Sequence, residues 1–108
     1  MTLDILNFHE KADEILEEIF SEIDAIADEN NLETDLLNGV LSIKTEDNGE
    51  YIINKHEPTK QIWFSSPFSG ASRFNFDETK QQWVNDIGEP LSDFLHDELK
   101  ELAYIIFS

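Results

Sequence analysis

Near residue 30 the hydrophobic period of this chain changes from between three and four residues to two, and that change fixes its fold class. Before it, Ile5, Phe8, Ala12, Ile15, Leu16, Ile19, Phe20, Ile23, Ile26 and Ala27 recur at helical spacing. On a helix turning ~100° per residue they fall within an arc of roughly 140°, the width of a core-facing stripe. One amphipathic helix is therefore expected over 4–28. Acids fill the complementary arc: Glu10, Asp13, Glu14, Glu17, Glu18, Asp24 and Asp28. Lys11 is the one cation among them, so like charges at i,i+4 cost about 0.2–0.5 kcal/mol per pair. Packing of the apolar stripe must supply the stability. Asn30-Asn31 ends the pattern.

After the change, alternation and turn chemistry mark a run of short strands. Leu32 to Leu37 is the first, Asn38-Gly39 a two-residue hairpin signal, and Val40 to Thr45 the second. Asp47-Asn48-Gly49 is another turn. Tyr51 to His56 and Gln61 to Ser65 follow, joined across Glu57-Pro58-Thr59-Lys60. Ser66-Pro67-Phe68-Ser69-Gly70 turns the chain again, into strands near Ser72–Phe76 and Gln82–Asn85. Gly88-Glu89-Pro90 stops the sheet, and Pro90 suits the first turn of a second helix. Leu91, Phe94, Leu95, Leu99, Leu102, Ala103 and Ile106 give that helix one apolar side. Hairpin connections make the sheet antiparallel. Two one-sided helices are both satisfied on one face of it. The expected architecture is α+β, a two-layer sandwich with terminal helices on a meander of about six strands, in a single domain over 1–108.

Charge narrows the function. The 108 residues hold 24 acids and 7 Lys or Arg, a net charge of −17. Residues 1–35 hold twelve of the acids and only Lys11, whereas 51–76 carry Lys55, Lys60 and Arg73 against Glu57 alone. Such a chain is electrically polarised. Nucleic acid is excluded as a partner, because phosphate contacts need Lys and Arg. Cations or a basic protein surface are favoured. With no cysteine there are no disulfides, thiolate metal sites or cysteine nucleophiles. No apolar run approaches the ~20 residues of a membrane span, and the acidic N-terminus lacks a signal pattern, so a cytoplasmic protein is expected.

Parity assigns the sheet faces. Ile62 and Phe64 share one face, as do Phe74 and Phe76, and these are the core sides. The opposite parity brings out Asn54, Gln61, Trp63 and Arg73, with His56 in phase with Asn54. If the helices cover the Phe face, these stand on the open one. A Trp framed by Asn, Gln and Arg on a flat sheet has the composition of a protein-binding hot spot. An isolated half-covered Trp at an edge is the plainer alternative.

The segment Tyr51-Ile52-Ile53-Asn54-Lys55, Pro58, Lys60-Gln61-Ile62-Trp63-Phe64-Ser65-Ser66-Pro67, Gly70 and Arg73-Phe74 closely resembles the sheet signature of frataxins. Gly39-Val40-Leu41 after an acidic helix, Trp83 before the last turn and the Leu-rich final helix resemble that family too, so the likeness spans nearly the whole chain. It implies the same sandwich. It also implies a role in iron–sulfur cluster assembly as an iron chaperone or regulator, with weak binding of Fe²⁺ and Fe³⁺ on an acidic ridge. The implied partners are a cysteine desulfurase and the scaffold protein, met at Asn54, Gln61, Trp63 and Arg73. The family implies a monomer, with iron-induced oligomers as an extension. The start directly at the helix resembles bacterial members, which lack a mitochondrial extension.

On the same resemblance the ridge maps to Asp24, Asp28, Glu33 and Asp35. Ser21 and Ala25 stand where relatives often have acids, and Glu14, Glu17, Glu18 and Glu22 lie alongside. His9 matches a histidine common near the helix start and is a further metal ligand candidate, while His56 and His96 are expected at the surface. Carboxylates on a solvated helix suit hard cations without selecting sharply among them, so other divalent ions are expected to substitute for iron. Two other classes stay open. One is an acidic interaction module without a metal role. The other is a weak ferroxidase, the only catalysis the carboxylates support, since no nucleophile–base pair, phosphate loop or helical His-Glu motif is present.

Overall fold

A computed structural model describes residues 4–46 and 49–98. The expected first helix, α1, runs Ile5–Ala27. Asp4 caps it, its Oδ1 accepting the Asn7 backbone N–H at 2.8 Å, so one orphan donor is satisfied by a charge the helix dipole favours. At the other end a 3₁₀ turn, Asp28–Asn30, leads to Asn31 in the left-handed region (φ 55°). The Leu32 N–H reaches back to the Ala27 carbonyl at 2.9 Å, and the Leu32 side chain is buried, which together close a Schellman-type stop.

Six strands follow: β1 (Glu33–Leu37), β2 (Val40–Lys44), β3 (Glu50–His56), β4 (Gln61–Ser66), β5 (Gly70–Asp77) and β6 (Gln82–Val84). They form one antiparallel sheet in chain order. Asn38 (φ 52°) and Gly39 (φ 76°) both take positive φ, the two-residue turn that matches strand twist. The β3–β4 link is a 3₁₀ turn, Glu57–Thr59, closed by Lys60 at φ 54°. After β6, Pro90 sits just before the second helix, α2, described over 91–98, and its carbonyl accepts the Phe94 N–H at 3.0 Å. Pro90 thus precedes the first turn rather than lying in it. The expected turn at 47–48 and the helix positions Leu99, Leu102, Ala103 and Ile106 lie outside the described residues.

The core lies between the helices and one sheet face, as parity requires. From α1 come Phe8, Ala12, Leu16, Ile19, Ile23 and Ala27; from the sheet Leu41, Ile43, Tyr51, Ile53, Ile62, Phe64, Phe74 and Trp83; from α2 Leu91 and Leu95. Rings tie the layers: Phe94 of α2 meets Phe64 and Phe74 edge-on at 5.2 and 5.3 Å, and Phe8 meets Trp83 at 6.0 Å. Each large side chain removed from water here contributes about 1.5–3 kcal/mol, which offsets the charge repulsion along α1. The described residues of both helices occupy this face, and none of them covers the other. Among the described residues no helix is long and apolar enough to cross a membrane.

Candidate docking face and acidic pole

The register sets the open face row by row. Val40 opposes Asn54, Asn54 opposes Trp63, and Trp63 opposes Arg73. One step along, His56 opposes Gln61. Because side chains alternate in strands, all of these point away from the helices. The four residues expected on this face, Asn54, Gln61, Trp63 and Arg73, are therefore brought together by three consecutive strands, β3 to β5.

Their side chains are ordered into a layer. Trp63 stacks with His56, ring centroids 3.6 Å apart and planes 13° from parallel. Arg73 approaches from the other neighbouring strand, its guanidinium carbon 4.9 Å from the Trp63 ring centroid. The indole N–H donates to Gln61 Oε1 at 2.9 Å, and Gln61 Nε2 donates to Asn75 Oδ1 at 3.2 Å. His56 Nδ1 lies 2.8 Å from Thr59 Oγ1, in the turn after β3. Asn54 Nδ2 donates to the Lys55 carbonyl at 3.3 Å. The result is a half-buried Trp63 held on both flanks before any partner arrives, a preorganised platform whose ordering cost is already met by the fold. Beyond Asn54 the row ends in Val40 and Leu37, opposed to each other and exposed at 40% and 63%, which extends the platform with apolar surface. Parity identified Asn54, Gln61, Trp63 and Arg73; the part played by His56 and Asn75 comes from rotamers that alternation does not encode.

The acids divide among separate surfaces. Glu14 and Glu18 line a groove with Lys11, Phe76, Trp83 and Leu91, between α1 and the start of α2. Glu22, one helical turn past Glu18, continues that flank. Glu17 and Asp13 instead face the tip of the β1–β2 hairpin, beside Leu36 and Gly39. Asp24 lies toward β1, its Oδ1 accepting the Thr34 hydroxyl at 2.8 Å. Asp28 is exposed in the turn that ends α1. Glu33 and Asp35 alternate with Thr34 and Leu36 on β1; they oppose Lys44 and Ser42 and point to the open sheet face, away from α1. His9 is at the far end of the helix, roughly 28 Å along the axis from Asp28 at ~1.5 Å per residue. Its Nε2 is 3.4 Å from Glu57 Oε2, and its buried Nδ1 has no hydrogen-bond partner.

Among the described residues no three His, Cys, Asp or Glu side chains converge as a metal cage would require. The nine metal-ligand candidates are thus spread over α1, its ends and β1. What they share is field. The last turn of α1 carries no basic residue, so Asp24 and Asp28 stand where the helix dipole is already negative and a cation is favoured. Elsewhere Lys55 Nζ pairs with Asp13 Oδ1 at 2.7 Å. The phenol of Tyr51, buried beneath α2, is pushed up to about 12 by desolvation first and by the nearby Glu98 charge second.

Comparison with known proteins agrees with this geometry. The description "Frataxin-like domain" fits residues 1–104. The chain is similar to the mitochondrial frataxin of Dictyostelium discoideum, 37% identical over 104 residues, a match taking in 93% of this chain and 54% of that protein. It is also similar to the iron-sulfur cluster assembly protein CyaY of Thioalkalivibrio sulfidiphilus, 38% identical over 95 residues, covering 84% and 85%. The chain therefore spans about half the length of the first relative and most of the second. Trimeric frataxin from the yeast Saccharomyces cerevisiae, complexed with ferrous iron, superposes with a TM-score of 0.77 at 31% identity, over 89% of this chain and 88% of that one.

Proposed function

The chain belongs to the frataxin family, and from that premise we propose that it is an iron-responsive docking module of iron–sulfur cluster assembly. It binds Fe²⁺ and Fe³⁺ weakly on the acids of α1 and β1, with other divalent ions able to replace them. It attaches through the open sheet face to a cysteine desulfurase and the cluster scaffold. A relative named for iron–sulfur cluster assembly and a neighbour complexed with ferrous iron support the pathway and the ion.

The observation that carries the proposal is the layered His56–Trp63–Arg73 platform on the face that none of the described helix residues covers. A stacked, hydrogen-bonded Trp on an open sheet is what a hot spot requires and what the core does not. The scattered acids fit the iron part: oxygen ligands on separate solvated surfaces give shallow, multi-site binding. They also add long-range attraction to a basic partner surface, acting over ~8 Å at physiological salt.

The test is an NMR titration of isotope-labelled protein, first with ferrous iron under anaerobic conditions, then with purified cysteine desulfurase. Iron broadening confined to 14–35, with desulfurase shifting Asn54, Gln61, Trp63 and Arg73 and binding weaker at high salt, is the expected result. A second reading, an acidic interaction module without a metal role, is favoured by the lack of a convergent ligand triad among the described residues. Intact desulfurase binding with uniform or absent iron effects establishes that reading instead. No binding of desulfurase overturns the docking proposal.

A further inference from the structure

Arg73 is the only arginine in the chain, and it stands exposed on the open sheet face. Among the described Lys and Arg residues only Lys55 pairs with a carboxylate, and Arg73 has no such partner. Its contact is with the Trp63 ring, 4.9 Å from the guanidinium carbon to the centroid. No carboxylate takes up the guanidinium N–H groups, and a guanidinium is a planar donor fork that matches two carboxylate oxygens.

The neighbouring hydrogen bonds leave few other groups to meet that fork. The Trp63 N–H is held by Gln61, and Gln61 is held by the carbonyl oxygen of the Asn75 amide. Asn75 therefore presents its NH₂ as a donor, on the same face of β5 as Arg73 and two residues along. Arg73, Asn75, Gln61 and Asn85 line one cleft of about 450 Å³, which Asp86 also borders. Asp86 stays beyond ion-pair distance of Arg73. The cleft thus holds the Arg73 guanidinium without an ion-pair partner and an amide donor beside it, with the Asp86 carboxylate at its border.

We infer that this cleft seats a side-chain carboxylate of the partner protein, gripped by the Arg73 fork with the Asn75 amide beside it. The inference rests on the docking role proposed above and names the chemistry the face reads. It also explains how a protein of net charge −17 docks in one orientation. The α1 acids draw a basic patch, whereas Arg73 demands an acid. A partner must offer both signs at the right separation, and the wrong orientation sets acid against acid.

The decisive variant is Arg73→Lys, which keeps the charge and removes the planar fork. Labelled protein is titrated with N-acetyl-L-leucine, with N-acetyl-L-leucinamide and with inorganic phosphate, following the Arg73 Nε–H and the Gln61 and Asn75 side-chain amides. The carboxylate probe should shift these signals saturably and the amide probe should not. Arg73→Lys should weaken the response roughly tenfold or more. Equal shifts from both leucine probes, an unchanged response in Arg73→Lys, or shifts from phosphate alone overturn the inference. Affinity for purified desulfurase should fall by the same factor in Arg73→Lys, with the unfolding midpoint unchanged. If desulfurase fails to bind the wild type, the docking proposal falls, and the small-molecule titration still decides whether the cleft reads carboxylates.

Discussion

Lys55 lies across Gly39 so closely that a Cβ on the glycine would stand 2.6 Å from Lys55 Cε. From there the lysine continues to Asp13 on α1, 2.7 Å away, while its backbone N–H holds the Gly39 carbonyl at 3.0 Å. One side chain thus fastens the β1–β2 hairpin tip to the acidic helix. Gly39 is needed twice, for its positive φ and for the space. Gly39→Ala should destabilise the protein by about 1–2 kcal/mol, read as a lower urea midpoint with an unchanged slope. A wild-type midpoint would show that the hairpin tip yields freely.

The Lys55–Asp13 bridge itself should be worth less. Asp13 is half exposed, so the pair contributes about 0.5–1 kcal/mol. Lys55→Met also removes a cation from the anionic pole, so its cost should shrink as salt rises. Urea unfolding at low and high ionic strength checks this, and a salt-independent cost would assign the effect to lost packing.

The two tryptophans should separate stability from binding. Trp83 is 4% exposed between α1 and the sheet, and Trp83→Ala should cost about 3–5 kcal/mol. Trp63→Ala should leave the fold near wild-type stability and lower desulfurase affinity by about 2 kcal/mol, roughly thirtyfold. Calorimetric titration beside urea unfolding distinguishes them. A Trp63→Ala protein that unfolds easily and binds normally would make Trp63 structural.

Tyr51 gives a sign-defined pH effect. Its phenol rises from 10.0 to about 12 in the folded protein, chiefly because burial disfavours the phenolate. Between those values the unfolded chain releases this proton first. The Tyr51 contribution to stability is therefore complete below pH 10 and lost as pH climbs toward about 12. Tyr51→Phe should flatten that decline, as measured by urea unfolding across the alkaline range.

Divalent cations should stabilise the fold by binding the native acidic pole more than the unfolded chain. At ten times a site's Kd the gain is about 1.4 kcal/mol, and a domain of this size gains roughly 4–8 °C in Tm per kcal/mol. Replacing Glu17, Asp24 and Asp28 by amides should raise Tm in the absence of metal and reduce the response to calcium or manganese. An unchanged Tm with added cation counts against the pole as a cation site.

Much of this was readable from residues because it depends on period and parity. α1 followed from its stripe, and Asn38-Gly39 gave its turn because both positions need positive φ. Parity was enough to place Asn54, Gln61, Trp63 and Arg73 on one face. Lys60 and Gln81, also at positive φ, carry no such signal, since their backbone conformation is imposed by the turns around them. The His56 stack depends on diagonal neighbours choosing matching rotamers. The acids were legible as a charge excess but not as a geometry. Thr34 and Asp35 are adjacent in sequence, yet the first hydrogen-bonds Asp24 on α1 while the second points to the opposite side of the sheet.

The strand order has a kinetic meaning as well. Every sheet neighbour is also a chain neighbour, so each hairpin closes a short loop and the sheet can grow one strand at a time. Only the docking of the helices joins distant parts of the sequence. Low contact order of this kind favours rapid folding with little time spent as exposed, unpaired strands. In a chain whose first helix repels itself, the β-meander supplies the surface against which the apolar stripe of α1 is held.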